Sequence, residues 1–252
     1  MSVVVVTGAS RGIGAQICRM AAGDGWSCCV NYAKDEAGAQ AVAAQIRDAG
    51  GTAIAVQADI ADERQVAAMF SKVDQQLGPV QALVNNAGAM GSEGRVEDLD
   101  IDRTRRLFEV NLLGPFLCSK EALKRMSTRM GGAGGGIVNI SSAAAKHGGG
   151  GSYVDYAASK GGLDTFTVGL AREQAAAGVR VNCIRPGAIL TEISKLWMET
   201  HPEWLDSVVA RTPLGHPGEE ADIAGATMWL LSDAAKYVTG AILDISGGWV
   251  SP

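Results

Sequence analysis

The sequence predicts an α/β fold built on a parallel sheet. Three observations support this prediction: a strand, a glycine loop and a helix at the N-terminus, the alternation of strands and helices further on, and a composition rich in glycine and apolar residues. The 252 residues, 47% of them hydrophobic, suffice for one large domain with a sizeable core. Because no repeat and no linker interrupts the alternation, we expect a single domain over residues 1–252.

The first strand and the glycine loop indicate a dinucleotide-binding site. Val3–Val6 are four consecutive β-branched residues, which are typical of a strand buried on both faces. The spacing G-x-x-x-G-x-G follows at Gly8, Gly12 and Gly14, and a helical pattern begins at Ile13. Such glycines let the backbone turn and approach a phosphate, while the helix N-terminus attracts a pyrophosphate. A plain tight turn is the alternative explanation.

Strands and helices continue to alternate up to the end of the chain. Further strands are predicted at Ser27–Asn31, Ala53–Gln57, Gln81–Val84, Ile137–Ile140, Val179–Ile184 and Ala241–Ile245. Helices are predicted at about 36–49, 63–77, 99–130 and 219–231, and from about residue 153 onwards. The segment 99–130 forms one helix or two joined near Gly114–Pro115, because proline disturbs helical hydrogen bonds. A lid over a substrate pocket and ordinary packing are both open for Leu196, Trp197, Met198 and Trp204.

A tyrosine and a lysine on one helix form the candidate catalytic pair. Tyr156 and Lys160 are four residues apart, so they lie on one helical face, one turn apart. An ammonium near a phenol favours the phenolate and lowers a pKa that is ordinarily ~10. A phenol tuned in this way exchanges a proton near neutral pH. Taken alone, the same spacing also fits two residues on a solvated helix face.

Composition and charge exclude several other classes of function. The net charge of −5 and the lack of a basic tract make nucleic acid an unlikely partner. The five cysteines form no C-x-x-C pattern, and we interpret them as reduced core residues of a cytoplasmic protein. The three histidines are far apart, so no metal site is expected. The apolar N-terminal segment is too short for a signal peptide or a membrane span.

The motifs occur in the order found in one known family. The chain carries Thr7-Gly8-x-x-x-Gly12-x-Gly14, Asp59, Asn86-Ala87-Gly88, Asn111, Ser142, Tyr156-x-x-x-Lys160 and Pro186-Gly187. On these motifs it resembles the short-chain dehydrogenase/reductase family over essentially its whole length, and it is similar to 3-oxoacyl-carrier-protein reductases and glucose-dehydrogenase-like members. The resemblance implies one doubly wound Rossmann-type domain with a central parallel sheet of about seven strands. It also implies a nicotinamide cofactor and, commonly, a homotetramer.

The resemblance further implies a role for each catalytic residue. Tyr156 would be the general acid in carbonyl reduction, and Lys160 would lower its pKa and bind the nicotinamide ribose. Ser142 would hydrogen-bond the substrate oxygen, and Asn111 would hold a water in a proton relay. The residues expected to bind the cofactor are Gly8, Ser10, Arg11, Gly12, Ile13, Gly14, Asn31, Tyr32, Asp59, Ile60, Asn86, Ala87, Gly88, Tyr156, Lys160, Pro186, Gly187, Ile189 and Thr191.

The position of the serine departs from the family's usual spacing. In the family the serine usually precedes the tyrosine by thirteen residues, which would be Ala143 here. Ser142 is one residue further away, which we attribute to one extra residue in the glycine-rich loop. Ser141 is the competitor, and on a strand the two side chains point to opposite faces, so only one reaches the substrate.

The residues at the end of the second strand indicate the choice of cofactor. NAD-preferring enzymes usually place an acid there, whereas this chain has Asn31 and Tyr32, and its first acid, Asp35, lies beyond the strand. Arg11 can bind a 2′-phosphate with two hydrogen bonds, and Lys34 can add a second charge. We therefore expect NADP rather than NAD, and we expect Asn31→Asp to move the preference towards NADH. A site indifferent to the phosphate is the alternative.

Together these patterns predict an NADP(H)-dependent oxidoreductase. The expected reaction moves a hydride between nicotinamide and a carbonyl or secondary alcohol, such as a 3-oxoacyl compound, a sugar or another small ketone. The expected protein is a cytoplasmic homotetramer, with a dimer as the second choice, without metal, nucleic acid or membrane partners. The alternative is a non-catalytic NADP(H)-binding regulatory or scaffold protein, which would not need the Ser, Tyr, Lys and Asn set.

Overall fold

A seven-stranded parallel sheet forms the centre of the protein. The computed structural model describes residues 2–91, 93–192, 194, 198 and 201–250. The strands are β1 Val3–Val6, β2 Ser27–Tyr32, β3 Thr52–Gln57, β4 Ala82–Asn85, β5 Gly135–Ile140, β6 Val179–Pro186, β7 Ile189–Leu190, β8 Gly218–Glu219 and β9 Ile242–Ile245. The central sheet has the order β3-β2-β1-β4-β5-β6-β9, and β7 pairs with β8 outside it. The predicted α/β fold with a parallel sheet of about seven strands is confirmed.

Helices cover both faces of this sheet. They are α1 Gly12–Gly23, α2 Glu36–Asp48, α3 Glu63–Gln76, α4 Ile101–Phe108, α5 Gly114–Met126, α6 Ala144–His147, α7 Val154–Gln174, α8 Glu203–Arg211 and α9 Glu220–Leu231. Val4 and Val6 pack in one apolar layer with residues of α1, α2 and α9. Val3 and Val5 pack in a second layer with residues of α3, α5 and α7. The first strand is therefore buried on both faces, as its β-branched residues predict.

Strand order reverses between β1 and β4, and side-chain hydrogen bonds join the ends of these two strands. The Asn86 amide donates to the main-chain oxygens of Thr7 and Gly8, at 2.9 and 3.0 Å. The main-chain N–H groups of Asn86 and Ala87 both donate to the Thr7 hydroxyl at 3.0 Å. A reversal of strand order opens a crevice at the carboxyl ends of the strands, where open α/β sheets bind ligands.

The predicted helix over 99–130 is interrupted by a π-helical turn. Residues Glu109–Leu113 form this turn between α4 and α5, and the Gly114 N–H donates to the Glu109 carbonyl, five residues back. Pro115 has no N–H, so it cannot donate to the Asn111 carbonyl as the α-helical pattern requires. Proline therefore changes the turn that precedes it, and α5 continues to Met126.

Element ends differ little from expectation, but two helices were not predicted. Each predicted strand is present with ends within two residues of those expected. Helix α6 follows Ser142 directly, and α8 contains Trp204. Trp204 and Met198 are half-buried, whereas Leu196 and Trp197 lie outside the described residues, so the choice between lid and packing stays open.

The cysteines belong to the core, as expected. All five are buried and free of disulfides. Burial raises the pKa of the Cys29, Cys118 and Cys183 thiols well above the ordinary range. Such thiols remain protonated at neutral pH and are poor nucleophiles.

Two glycines of α1 should respond in opposite ways to replacement by alanine. A Cβ at Gly14 would lie 2.7 Å from the Gly8 carbonyl oxygen, whereas a Cβ at Gly23 would meet nothing within 4 Å. We expect Gly14→Ala to lower the free energy of unfolding by about 1–3 kcal/mol through overpacking. Gly23→Ala should raise it by about 0.4–1 kcal/mol. Urea denaturation at matched protein concentration measures both, and equal effects would contradict the close approach of helix and loop.

Candidate active site

The buried Lys160 ammonium connects helix α7 to the end of β5. Its Nζ donates to the Ile140 carbonyl oxygen at 2.8 Å and lies 5.9 Å from the centroid of the Tyr156 ring. Burial lowers the pKa of Lys160 to about 8, although Cys183 and Asp164 act in the opposite direction. Because a buried charge is costly, this lysine carries its proton less firmly than a surface lysine.

The pKa of Tyr156 is raised, contrary to expectation. The side chain is half-buried, and this burial raises the pKa of the phenol. A hydrogen bond with Ser142 partly offsets the rise. Lys160 is not among the groups that shift this pKa, because its Nζ is directed to Ile140 rather than to the phenol. The expected lowering by the lysine is therefore absent among the protein's own groups, and Ser142 is the residue that favours the phenolate.

The two serines at the end of β5 have different partners. Ser142 hydrogen-bonds the Tyr156 side chain, and its Oγ also accepts from the Ala144 N–H at 3.1 Å, at the start of α6. Ser141 is buried and donates to the Lys160 carbonyl oxygen at 3.2 Å. The structure thus places Ser142 beside the Tyr156 side chain, whereas Ser141 contacts the main chain of α7 at Lys160.

Asn111 is held by both ends of its amide. Its Oδ1 accepts from the Ala89 N–H at 2.7 Å, and its Nδ2 donates to the Ala89 carbonyl at 2.9 Å. The Nδ2 also donates to Ser159 Oγ at 3.0 Å, and Ser159 donates to the Tyr156 carbonyl at 2.7 Å. This network joins the π turn to helix α7. A Cβ at Gly88 would lie 3.4 Å from Lys160 Nζ, so the chain passes directly beside the lysine.

A buried aspartate fixes the first turn of helix α7. Asp155 Oδ1 accepts from the Tyr156 N–H at 2.8 Å, and its Oδ2 forms an ion pair with Arg103 at 3.0 Å. Sequence reasoning missed both residues, and it also missed Ser159. The available signal was their polarity within segments that otherwise pack against the core.

A cleft of about 440 Å³ runs along the carboxyl ends of the strands. Thirteen of the expected cofactor residues line it, namely Gly8, Ser10, Arg11, Gly12, Ile13, Asn31, Tyr32, Asp59, Ile60, Asn86, Ala87, Gly88 and Thr191. Gly14, Tyr156, Lys160, Pro186, Gly187 and Ile189 are not among its lining residues. Lys34, expected as a second charge for a 2′-phosphate, also lines it. Sequence reasoning did not assign to the cofactor six further lining residues: Ala33, Asp35, Ala58, Arg106, Val110 and Glu192.

The glycine loop has the shape and polarity that a pyrophosphate requires. Gly8 has a φ of +62°, and a Cβ there would lie 2.8 Å from the Ala87 Cα, so only glycine fits. Within the described residues, the N-cap of α1, Arg11, makes no side-chain cap hydrogen bond and the first turn carries no acid. Asp35, Asp62 and Asp100 cap α2, α3 and α4. The N-terminus of α1 therefore fits an anionic ligand.

Asn31 holds the glycine loop rather than facing a ribose. Its Oδ1 accepts from the Gly8 N–H at 3.2 Å, and its Nδ2 donates to the carbonyls of Val56 and Ala58, at 3.3 and 3.1 Å. In an aspartate at this position, a carboxylate oxygen would replace the Nδ2 group. It would face the carbonyl oxygens of Val56 and Ala58 and could not donate a hydrogen bond to either. The expectation that Asn31→Asp moves the preference towards NADH is therefore corrected: the substitution would disturb the loop.

Asp59 lines the cleft and pairs with an arginine of α4. Its Oδ2 forms a short ion pair with Arg106, and its Oδ1 accepts from the Ala61 N–H at 3.0 Å. Arg106 also contacts Glu109 at 3.5 Å. Helix α4 thus forms the wall of the cleft next to Asp59. Sequence reasoning did not assign this helix to the cofactor.

Two negative findings concern the described part of the chain. Its histidines, cysteines and acids form no group of three or more that could hold a metal ion. None of its helices is both long and apolar enough to cross a membrane.

Comparisons with known proteins agree with this fold. A family model described as Enoyl-(Acyl carrier protein) reductase matches residues 8–250. YgfF, an uncharacterized oxidoreductase of Escherichia coli (strain K12), is 48% identical over 98% of this chain and 100% of its own length. The 3-oxoacyl-[acyl-carrier-protein] reductase FabG of Staphylococcus aureus (strain Mu50 / ATCC 700699) is 35% identical over 97% and 96%. A blue fluorescent protein from a metagenomic library, solved with NADPH, has a TM-score of 0.90 and 37% identity, covering 99% and 98%.

The sheet, the glycine-loop cleft and these relatives define an oxidoreductase of the Rossmann type. Within that class, the chain belongs to the short-chain dehydrogenase/reductase family, as its motifs predicted. The family is dependent on a nicotinamide cofactor and acts on CH–OH or carbonyl groups.

The buried lysine should give the protein a measurable pH dependence. The pKa of Lys160 is about 8 in the folded state and 10.5 ordinarily, so between these values the unfolded chain binds the additional proton. Stability should therefore rise as pH increases above about 8, and the penalty for burying the charge should be complete below it. The measurement is urea denaturation across this range for wild type and Lys160→Met. Identical slopes for the two proteins would contradict a buried, easily deprotonated lysine.

Proposed function

We propose that this chain is an NADP(H)-dependent oxidoreductase that interconverts a carbonyl and a secondary alcohol. The observation that carries the proposal is the grouping of Ser142, Tyr156 and Lys160 at the end of β5, with the Ser142–Tyr156 hydrogen bond at its centre. A proton donor beside a second hydroxyl is the arrangement that a carbonyl oxygen requires as charge develops on it. We also propose that residues 1–252 act as one domain.

Each residue of the group has a part in the reaction. Bound nicotinamide supplies or accepts the hydride. The Tyr156 hydroxyl gives a proton to the substrate oxygen in reduction and takes it back in oxidation, while Ser142 donates a hydrogen bond to that oxygen. Lys160 would hold the nicotinamide ribose and, when charged, would favour the phenolate. The Asn111 carbonyl, which has no α-helical donor at Pro115, can hold a water that returns protons to the lysine.

The proposed substrates are a 3-oxoacyl compound, a sugar or another small ketone. The first of these classes is supported by the name of one relative, a 3-oxoacyl-[acyl-carrier-protein] reductase that is 35% identical. A panel of ketoesters, sugars, diketones and an acyl-thioester mimic distinguishes them. Turnover of one class identifies the substrate, and the absence of turnover on every class would favour a non-catalytic NADP(H)-binding protein.

Two cations and the lack of an acid at the strand end support NADP as the cofactor. Arg11 and Lys34 both line the cleft near the end of β2, where a 2′-phosphate would lie. β2 itself ends at Tyr32, which offers no carboxylate to the ribose. A neighbouring structure of the same fold holds NADPH, which is consistent with this choice.

Exposed apolar side chains on α5 and the π turn before it support a homotetramer, which we place in the cytoplasm. Phe116 is 46% exposed and stacks on Phe166 with 3.7 Å between ring centroids, and Leu113 beside it is 47% exposed. Exposed apolar side chains that adjoin one another are typical of subunit contacts. The free, buried cysteines support the cytoplasmic location.

Removing the phenolic proton should abolish most of the activity without loss of cofactor binding. Tyr156→Phe keeps the ring, so we expect turnover to fall by ~10² or more. Ser142→Ala should also lower turnover strongly, whereas Ser141→Ala should not, because the Ser141 hydroxyl donates to the Lys160 main-chain oxygen. Steady-state kinetics and cofactor titration measure both effects. Near-wild-type turnover in the Phe variant would show that another group is the acid.

The preference for NADPH should depend on Arg11. A charge-assisted contact worth ~1.5–3 kcal/mol corresponds to roughly a ten- to hundredfold preference. Arg11→Ala should weaken NADPH binding and leave NADH binding nearly unchanged in a fluorescence titration at moderate salt. Arg19→Ala is the control, because Arg19 bonds Gln16 and Gln45 and does not line the cleft. The proposal fails if the wild-type protein binds NADH as tightly as NADPH.

A charge on the α5 surface should dissociate the assembly. Phe116→Asp places a carboxylate in the proposed contact, so light scattering at micromolar concentration should show a smaller species than the wild-type tetramer. Met130→Asp is the control, because Met130 is also exposed, at 65%, but follows α5 in a separate turn. A monomeric wild-type protein would refute the assembly.

A further inference from the structure

Asp35 lies inside the cofactor cleft although it follows the end of β2. The strand ends at Tyr32, and α2 begins at Glu36 with Asp35 as its N-cap. Asp35 Oδ1 accepts from the Gly38 N–H at 3.1 Å. Its side chain lines the same cleft as Arg11 and Lys34. The chain therefore presents a carboxylate among the cations that would bind a 2′-phosphate, at a place where the strand pattern suggests none.

Close packing fixes this carboxylate beside the glycine loop. A Cβ at Gly38 would lie 2.8 Å from the Ser10 carbonyl oxygen, so the first turn of α2 rests directly on the loop. The hydrogen bonds from the Gly38 N–H and the Ser10 side chain lower the pKa of Asp35, with a further contribution from Arg11. Asp35 is therefore ionised at neutral pH and cannot turn away without losing its cap.

The other charges of this region are engaged elsewhere or lie further along the cleft. Arg106 is paired with Asp59. Glu36 hydrogen-bonds the Tyr32 side chain, and Glu192 lines the cleft from the segment after β7. Glu219 and Glu220, at the start of α9, also adjoin the glycine loop, and a Cβ at Gly12 would lie 3.9 Å from Glu220 Oε1. Of Asp35, Glu219 and Glu220, Asp35 is the one that lines the cleft.

We propose that Asp35 is a specificity determinant that opposes the 2′-phosphate of NADP(H), so that Arg11 and Lys34 discriminate less strongly than they otherwise would. A phosphate and a carboxylate that share one cleft repel each other, while the ribose hydroxyl of NADH carries no charge and is unaffected. The inference rests on the proposed binding of a nicotinamide dinucleotide in this cleft. It does not require that the wild-type protein prefer NADPH.

Asp35→Asn tests this role without removing the helix cap, because asparagine caps helices about as well as aspartate. Fluorescence titration with NADPH and with NADH gives the two dissociation constants. We expect the NADPH dissociation constant to fall roughly two- to fivefold, as for a charge pair near the surface, and the NADH constant to change less than about twofold. The gain should shrink as salt is raised, because salt screens the repulsion.

Asp100→Asn is the matched control. Asp100 caps α4 through the N–H groups of Asp102 and Arg103, at 2.9 and 3.2 Å, and it does not line the cleft. This variant loses the same charge and should leave the NADPH-to-NADH ratio of dissociation constants unchanged. An unchanged ratio in Asp35→Asn, or an equal change in Asp100→Asn, overturns the inference. A wild-type protein that does not prefer NADPH refutes only the proposed cofactor choice, since the NADPH-to-NADH ratio of dissociation constants in Asp35→Asn would still fall relative to wild type.

Discussion

The geometry of the cleft depends on the hydrogen bonds between the ends of β1 and β4. Thr7 and Asn86 bind each other's main chain through their side chains, so the glycine loop and the Asn86–Gly88 wall form one unit. The separation that results leaves no room for a side chain at Gly8. Because Asn31 holds the loop from the other neighbouring strand, the backbone that would face a pyrophosphate is fixed by three strands at once.

The proton chemistry depends on a second buried contact, between Lys160 and Ile140. An ammonium has three donors, and the Ile140 carbonyl takes one of them. Within the protein alone this is insufficient to keep the pKa of Lys160 at its ordinary value, and the pKa of Tyr156 is raised rather than lowered. Burial is the largest cause of both shifts, and it acts against the charged form of each group.

Sequence patterns predicted the sheet well because its determinants are local. Four β-branched residues specify β1, and the spacing of Gly8, Gly12 and Gly14 specifies the loop that follows. The contacts that depend on long-range packing were not available from the sequence. Ser141 and Ser142 could be ranked only by assuming one extra loop residue, whereas the fold shows which of them reaches Tyr156.

Charged residues of the cleft were harder to predict than its glycines. Asp35 was set aside because it lies beyond its strand, yet the start of α2 returns it to the cleft. Arg106 belongs to a helix that follows a different strand, and nothing in its local sequence indicates Asp59 as its partner.

The π turn of Glu109–Leu113 also determines where the side chains of α4 point. Such a turn holds one residue more than an α-helical turn, which rotates everything before it by about 100° relative to α5. A chain shortened by one residue there would keep every side chain of the site and still aim Arg106 away from the cleft.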